Sequence, residues 1–497
     1  EDAPYRKAKI VATLGPATSS AEMVERLVTA GMNVARLNLS HGTIDDHRRM
    51  IATVKEVSKR LAAPVGILLD LQGPRIRTGT LPGKALKLEA GQKISIAPEG
   101  SAIEGPFITT NYTGLAGDVT PGARVLIDDG LVELRVIGVG GGTGGVVECE
   151  VVFGGTVGER KGMNLPGVDV SAPSLTEKDM EGIGLAVESG VDYVALSFVR
   201  KASDVTGLKG LLAERGAEIP VIAKIERAEA VENLTEILDA SDGVMIARGD
   251  LGVELSAEKV PVLQKRIIEA AGGADKVVIT ATQMLDSMVA SPRPTRAEAS
   301  DVANAVFDGT DALMLSEETA VGRYPVEAVE MMVRIVMEAE GASPGRFELL
   351  RRREGLPDSF ARAVACAAAA AAGEVRPRAI VAFTQTGDTA LMLSKLRPRP
   401  PIVAFTNVAG TVGRLTLAWG VTPVGIDFGE HTDEMICRGE AALLDGGFAA
   451  WGDRVVIVSG TRVGMRGATN MMKIDWIGSE ECRVHLKGDY GGPKGQA

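Results

Sequence analysis

Val221-Ile222-Ala223-Lys224-Ile225-Glu226 and Gly243-Val244-Met245-Ile246-Ala247-Arg248-Gly249-Asp250 share one pattern: a short aliphatic run without polar alternation that ends in charge. A strand exposed on one face alternates apolar and polar residues, whereas a parallel strand buried on both faces reads as a continuous apolar run. The same texture recurs at Ile10–Leu14, Val34–Leu39, Val65–Leu71, Tyr193–Phe198, Val277–Thr282 and Ala312–Leu315. Most stretches between them read as amphipathic helices, such as Ala21–Ala30 and Asp204–Arg215. Eight strand-then-helix units between Lys9 and about Glu340 predict an α/β fold, a (β/α)8 TIM barrel.

The third unit is interrupted. From Gly73 to about Ala172 the texture turns to short alternating strands and glycine turns: Ala85–Leu88, Lys93–Ala97, Arg124–Ile127, Val132–Ile137 and Val146–Val152. Asp129-Gly130 between two such runs is a hairpin signal. The glycine cluster Gly138–Gly145 opens no helix and reads as a hairpin tip, not a phosphate loop. This all-β segment, expected as a small β-barrel lid, enters at a βα loop, on the barrel face where active sites lie. Beyond about Gly345, an Ala-rich helix (Phe360–Ala372) and strands at Ala379–Thr384, Ile402–Thr406 and Arg454–Ser459 predict an open α/β domain. The expected division is 1–72 and 173–344 for the barrel, 73–172 for the lid and 345–497 for the C-terminal domain. No repeat relates the three parts.

The 497 residues are 45% hydrophobic and 24% charged, with a net charge of -11, a balance that excludes bulk binding to nucleic acid or to a membrane surface. Cys149, Cys366, Cys437 and Cys482 lie far apart with no CxxC pair, so neither a zinc site nor a disulfide framework is expected, only buried or inert thiols. No apolar run is long enough to span a bilayer and the N-terminus has no signal-peptide pattern. The chain lacks an initiator Met, so it is expected to be processed or trimmed. A soluble, cytoplasmic protein is the expectation.

Almost every barrel strand ends in polar groups. The second runs Val34-Ala35-Arg36-Leu37-Asn38-Leu39-Ser40-His41 and the third ends at Asp70. The seventh ends in Thr280-Ala281-Thr282-Gln283 and the eighth in Ser316-Glu317-Glu318-Thr319. One such pair would be a salt bridge; cations and carboxylates on several strands are costly to bury without a ligand. Glu226 and Asp250 suit a hard divalent cation, which takes few protein oxygens plus substrate oxygens. Lys224 and Arg36 supply fixed positive charge, the arrangement that phosphoryl transfer needs.

Several segments resemble the pyruvate kinase family in its own order: Thr13-Leu14-Gly15-Pro16-Ala17, Gly31–Asn38, Ser40-His41-Gly42, Lys161–Gly167, Lys224-Ile225-Glu226, Ala247–Gly252, Ala281–Leu285 and Pro292–Glu298. The resemblance implies transfer of phosphate from phosphoenolpyruvate to ADP in glycolysis, giving pyruvate and ATP, with Mg2+ or Mn2+ as cofactor. It implies that Glu226 and Asp250 hold that cation, that Lys224 and Arg36 take the phosphoryl group, and that the amides at Gly249 and Asp250 with Thr282 take the substrate carboxylate. Thr282 would also lie where the enolate is protonated. His41, Arg77 and Lys161 resemble the nucleotide-phosphate contacts, a second Mg2+ would arrive with the nucleotide, and a homotetramer is implied. The neighbouring readings are a Mg2+-dependent oxo-acid aldolase or lyase, separated by ADP dependence, and a catalytically inactive sensor, excluded by Mg2+-dependent turnover.

Asn38, Ser40, Asp70 and the Leu71 carbonyl match the family's K+ ligands, yet Arg75 stands where K+-requiring members carry Glu. A guanidinium there, which stays charged, implies that K+ is not required. Asp46 replaces an aromatic that some relatives set near the adenine. Thr384-Gln385-Thr386-Gly387-Asp388-Thr389 resembles the family's sugar-phosphate loop, so Thr384, Thr386, Gly387 and Thr389 are candidate effector contacts for a sugar phosphate or AMP, with Asp388 opposing an anion.

Overall fold

Eight parallel strands, Lys9–Thr13, Val34–Asn38, Gly66–Asp70, Tyr193–Leu196, Val221–Ile225, Gly243–Ala247, Val277–Ala281 and Ala312–Leu315, close into a barrel in the computed structural model. It describes residues 5–101, 105–140, 145–342, 359–461, 467, 469–478 and 482. The strands follow chain order around the barrel, and the eighth returns to pair with the first, Lys9 opposite Ala312. Side chains alternate, as a strand demands. Val11, Val34, Leu68, Tyr193, Ile222, Met245, Ile279 and Met314 pack together inside the barrel. Ile10, Ala35, Ile67, Val194, Ala223, Ile246 and Leu313 face the helices. Both sets are buried, which is why the strands read as unbroken apolar runs.

Three of the helices are opened by capping boxes, Thr43 with Asp46, Thr176 with Asp179 and Thr295 with Glu298. Asp179 does more than cap its helix. Its fully buried carboxylate also accepts from the amides of Gln72 and Gly73, where the chain leaves the barrel for the inserted domain.

The inserted domain is built mainly of β-strands, with one short helix at Leu115–Asp118. Its six-stranded sheet runs in the order Met163–Asn164, Arg124–Ile127, Val132–Val139, Val147–Phe153, Lys93–Pro98 and Phe107–Thr110. Gly155–Gly158 pairs with Ala85–Leu88 in a second, two-stranded sheet. The expected hairpin is present, with Asp128, Asp129 and Gly130 all at positive φ between the paired Ile127 and Val132. Of the glycine cluster, residues 141–144 lie outside the described residues, as does the expected boundary at 344.

The C-terminal domain is an open five-stranded sheet in the order Val421–Gly425, Ile402–Thr406, Ala379–Phe383, Arg454–Gly460 and Thr469–Trp476, the last strand antiparallel. The expectation of unpaired thiols is corrected here: Cys437 and Cys482 form a disulfide, their Cα atoms 4.9 Å apart. Separated by 45 residues, they are brought together only by the fold. Cys149 and Cys366 are free, and burial pushes the Cys149 thiol up to about 12. Among the described residues no helix is long and apolar enough to cross a membrane.

This last domain seals the foot of the barrel. Leu417 enters the inner layer. Asp311, before the eighth strand and fully buried, is paired with Lys395 and, at 2.8 Å, with Arg397. The Tyr193 hydroxyl donates to the Arg414 carbonyl, and Lys9 Nζ donates to the Val421 carbonyl at 2.7 Å.

Burial at this interface, with Arg6 adding to it and Glu340 opposing it, pushes the Lys9 ammonium down to about 7. Between that value and the ordinary lysine range the unfolded chain holds a proton that the native protein does not. Stability therefore rises with pH across the window, by up to about 1.4 kcal/mol per pH unit, and falls as pH drops toward 7. Urea unfolding at pH 7, 8 and 9 should show this slope in the native sequence and a flatter one in Lys9→Met; equal slopes would refute the assignment.

Candidate active site

The inward-facing layer that is apolar in the middle of the barrel becomes polar at its mouth. Two residues beyond Val11, Val34, Leu68, Ala195 and Ile222 stand Thr13, Arg36, Asp70, Ser197 and Lys224, with Glu226 one step further. The two-residue period thus sends five strands' terminal polar side chains into one space.

Asp70 is its centre. Its carboxylate has no solvent exposure. Arg36 meets it through Nη2 at 2.7 Å and Nε at 2.8 Å, and turns Nη1 to Thr13 Oγ1 at 2.9 Å. Lys224 Nζ lies 3.4 Å from Asp70 and 2.9 Å from both Glu226 Oε1 and Ser197 Oγ. Burial opposes the charge on Asp70, but Lys224 and Arg36 outweigh it and hold the carboxyl below its ordinary range. Burial likewise opposes the Lys224 ammonium, and Asp70 and Glu226 outweigh it, raising its pKa. Both groups stay charged at neutral pH.

Glu226, 1% exposed, accepts on its other oxygen from the Phe198 amide at 2.8 Å. Asp250 lies in the first turn of the helix Arg248–Leu255, directly after the sixth strand. Burial and Glu226 push its carboxyl up to about 6, against Arg75 and Lys224. Among the described residues no group of three or more His, Cys, Asp and Glu could hold a metal ion. Two neighbouring carboxylates are nevertheless the donors a hard cation takes when water and substrate complete its shell.

Thr282 sits at φ +69°, followed by Gln283 at +53°. A β-branched residue in the left-handed region is strained, and strain of this kind gathers at functional sites. Arg248 holds the loop there, donating to the carbonyls of Ala281 at 3.2 Å and Thr282 at 2.7 Å while paired with Asp301. The Thr282 hydroxyl donates to the Ala281 carbonyl and accepts from the Gly249 amide at 2.9 Å. That amide and hydroxyl, both expected on the substrate carboxylate, are thus each other's partners here.

The expected nucleotide contacts come from three segments. Arg77 bridges to Gly162, and the Thr78 amide donates to the Lys161 carbonyl, so the two legs of the inserted domain lie side by side. His41 is exposed on the loop after the second strand, and its pKa is lowered by partial burial and then by Arg77 and Arg75. Lys161 pairs with Asp128 at 3.0 Å. Asp46 is occupied as the partner of Thr43 in its capping box.

Asn38 is opposite Asp70 in the barrel register and accepts from the Ser40 amide. The Leu71 carbonyl accepts from Ser197 Oγ at 2.7 Å. Arg75 sets its guanidinium 4.0 Å from Asp250. In the C-terminal loop, Gly387 has φ +98° and precedes the helix Asp388–Lys395. Thr384 accepts from the Gly387 amide, Thr386 donates to Asp388 and Thr389 meets Thr469, so each hydroxyl has an internal partner.

Ser197, which accepts from Lys224, is a position that the sequence reading did not single out. It lies directly beyond a strand and faces inward, and strand-end position was the signal that could have marked it; Arg248, one of the charged strand ends, braces the loop at Thr282.

Residues 5–329 match the family described as pyruvate kinase, barrel domain, and residues 362–475 match pyruvate kinase, alpha/beta domain. A pyruvate kinase of Staphylococcus epidermidis is 44% identical over 477 residues, covering 96% of this chain and 81% of the relative. A pyruvate kinase of Staphylococcus aureus is 45% identical over the same span and coverage.

Ser197→Ala removes one of the three partners of the Lys224 ammonium. A hydrogen bond to a charged group contributes about 1.5–3 kcal/mol, so a loss of about tenfold or more in kcat/KM is expected with the melting temperature little changed. Unaltered turnover would show that Asp70 and Glu226 hold the ammonium by themselves.

Proposed function

Because the chain belongs to the pyruvate kinase family and is a phosphotransferase, we propose that it moves the phosphoryl group of phosphoenolpyruvate to ADP, yielding pyruvate and ATP as a glycolytic enzyme. The observation that carries this reading is the Arg36–Asp70–Lys224–Glu226 cluster, two cations fixed by buried carboxylates at the mouth of a closed barrel. Phosphoryl transfer asks for positioning and charge neutralisation above all, and preorganised cations supply both without reorganising during the reaction.

In this reading Arg36 and Lys224 bind the transferring phosphoryl oxygens. Lys224 is fixed on three sides and reaches the group without losing its charge. Thr282 and the amides at Gly249 and Asp250 orient the substrate carboxylate by exchanging their mutual hydrogen bond for bonds to substrate. Thr282 also stands at the face where the enolate takes its proton. Lys161, carried by the inserted domain, and Arg77 and His41 bind the nucleotide phosphates. Glu226 and Asp250 would hold a divalent cation, Mg2+ or Mn2+, which when bound supplies positive charge to the enolate oxygen and the substrate carboxylate.

The K+-independence expected from Arg75 is part of the same proposal. It is supported by the charge already present: Asp70 is met by Arg36 and Lys224, and Arg75 adds a permanent cation beside Asp250. Domain limits near 72, 172 and 344, an assembly of four subunits and a sugar-phosphate or AMP effector at Thr384–Thr389 complete the reading by family resemblance.

Pyruvate should form from phosphoenolpyruvate and Mg2+ only when ADP is present, with ATP in equal amount. Folded protein that makes no pyruvate, or makes it without ADP, would overturn the assignment in favour of another enolate reaction. Replacing K+ by tetramethylammonium should then leave most of the activity; loss of most of it would refute K+-independence alone.

A further inference from the structure

Glu254 lies on the same helix as Asp250, one turn beyond it, and phosphoryl transfer as described gives it no role. Its side chain is nearly inaccessible, the residue being 6% exposed. One carboxylate oxygen lies 3.3 Å from Asn164 Nδ2 and 3.6 Å from Arg227 Nη1. The other is buried and has no hydrogen-bond partner among the described residues. A carboxylate removed from water is costly unless its oxygens are satisfied. Charge-assisted hydrogen bonds are normally about 2.7–2.9 Å, so both contacts are slack. A fixed packing interaction would be expected to have tightened.

The two partners explain what could tighten it. Asn164 belongs to the inserted domain, on the short strand Met163–Asn164 that follows Lys161. Arg227 is the residue after Glu226 and donates to the Val168 carbonyl at 3.1 Å. Arg200, at the mouth of the fourth strand, donates to the carbonyls of Val170 and Ala172. The leg by which the inserted domain returns to the barrel is therefore gripped at several points from 164 to 172. Glu254 is the member of that grip with acceptor capacity to spare.

We propose that Glu254 is a positioning residue for closure of the inserted domain: its buried carboxylate draws Asn164 and Arg227 together as the domain closes, and so delivers Lys161 to the nucleotide in register with Glu226 and Asp250. Movements of roughly 0.5 Å at Asn164 and roughly 0.8 Å at Arg227 bring the two contacts into the charge-assisted range. Arg227 then links the closing domain to the strand that carries Lys224 and Glu226. Glu254 touches no substrate and acts through Asn164 and Arg227. The proposal rests on the phosphotransfer reading, since it assigns the closure to the nucleotide.

The test is Glu254→Gln, which keeps the shape and removes the charge, with Asn164→Ala on the other side of the contact. KM for ADP should rise about tenfold in each, the loss of one hydrogen bond to a charged group, and kcat should fall. Phosphoenolpyruvate binding in the presence of Mg2+ without ADP, measured by calorimetry, should change less than about twofold. Amide exchange over residues 163–172 should quicken. The double variant should be no worse than the poorer single one, because both remove the same contact. Equal losses toward ADP and phosphoenolpyruvate, additive effects, or kinetics unchanged in Glu254→Gln would each overturn the proposal. Should Glu254→Gln fail to fold, Asn164→Ala decides by the same ADP-against-phosphoenolpyruvate split. A wild-type protein without turnover would instead refute the phosphotransfer reading.

Discussion

Everything at the mouth of the barrel is organised around a carboxylate that water does not reach. Asp70 has no exposed surface and exists as an anion only because Arg36 and Lys224 are held against it. The desolvation of such a cluster costs several kcal/mol per ion and is only partly offset by mutual attraction. A barrel selected for stability alone would fill this layer with aliphatic side chains, as it does two residues lower. Holding Arg36 and Lys224 against Asp70 is what the cluster achieves, and the placement of Glu226 follows because it shares the ammonium of Lys224.

The inserted domain is anchored by the same economy of buried acceptors. Its outgoing leg is tied by Asp179 to the amides of Gln72 and Gly73, and its returning leg by Arg200 and Arg227 to backbone carbonyls. Side chain to backbone contacts fix where the two legs leave the barrel without specifying the residues between them. The pairing of Arg77 with Gly162 and of Thr78 with Lys161 keeps the two legs side by side where they leave the barrel.

The barrel was legible because its strands obey a strong rule: burial on both faces leaves no alternation to misread, and where a strand differs from expectation it does so only in an end residue or two. The fourth ends at Leu196, two residues early, because Phe198 adopts positive φ to aim its amide at Glu226. Shorter or edge strands were harder. Val421–Gly425 contains Pro423, which a sheet tolerates at its edge, where this strand lies. Met163–Asn164 has two residues, too few for any period. The polar residues of the site were legible from chemistry at strand ends. Ser197 was not, since an isolated serine carries no charge pattern. The disulfide could not be read either, because cysteine spacing does not encode which distant pair a fold will bring together.

Leu417 gives the barrel a stopper that arrives late in the chain. When the eighth strand leaves the ribosome, the foot of the barrel is uncovered, and Lys9, Tyr193 and Asp311 still lack Val421, Arg414, Lys395 and Arg397. Translation at roughly 5–20 residues per second leaves a gap of several seconds before those partners emerge. Through that interval the otherwise buried charges of Lys9 and Asp311, and the inner-layer side chains that Leu417 covers, stand open at the lower end of the barrel. The C-terminal domain is accordingly no detachable accessory: a chain that ends before it carries eight strands and no floor.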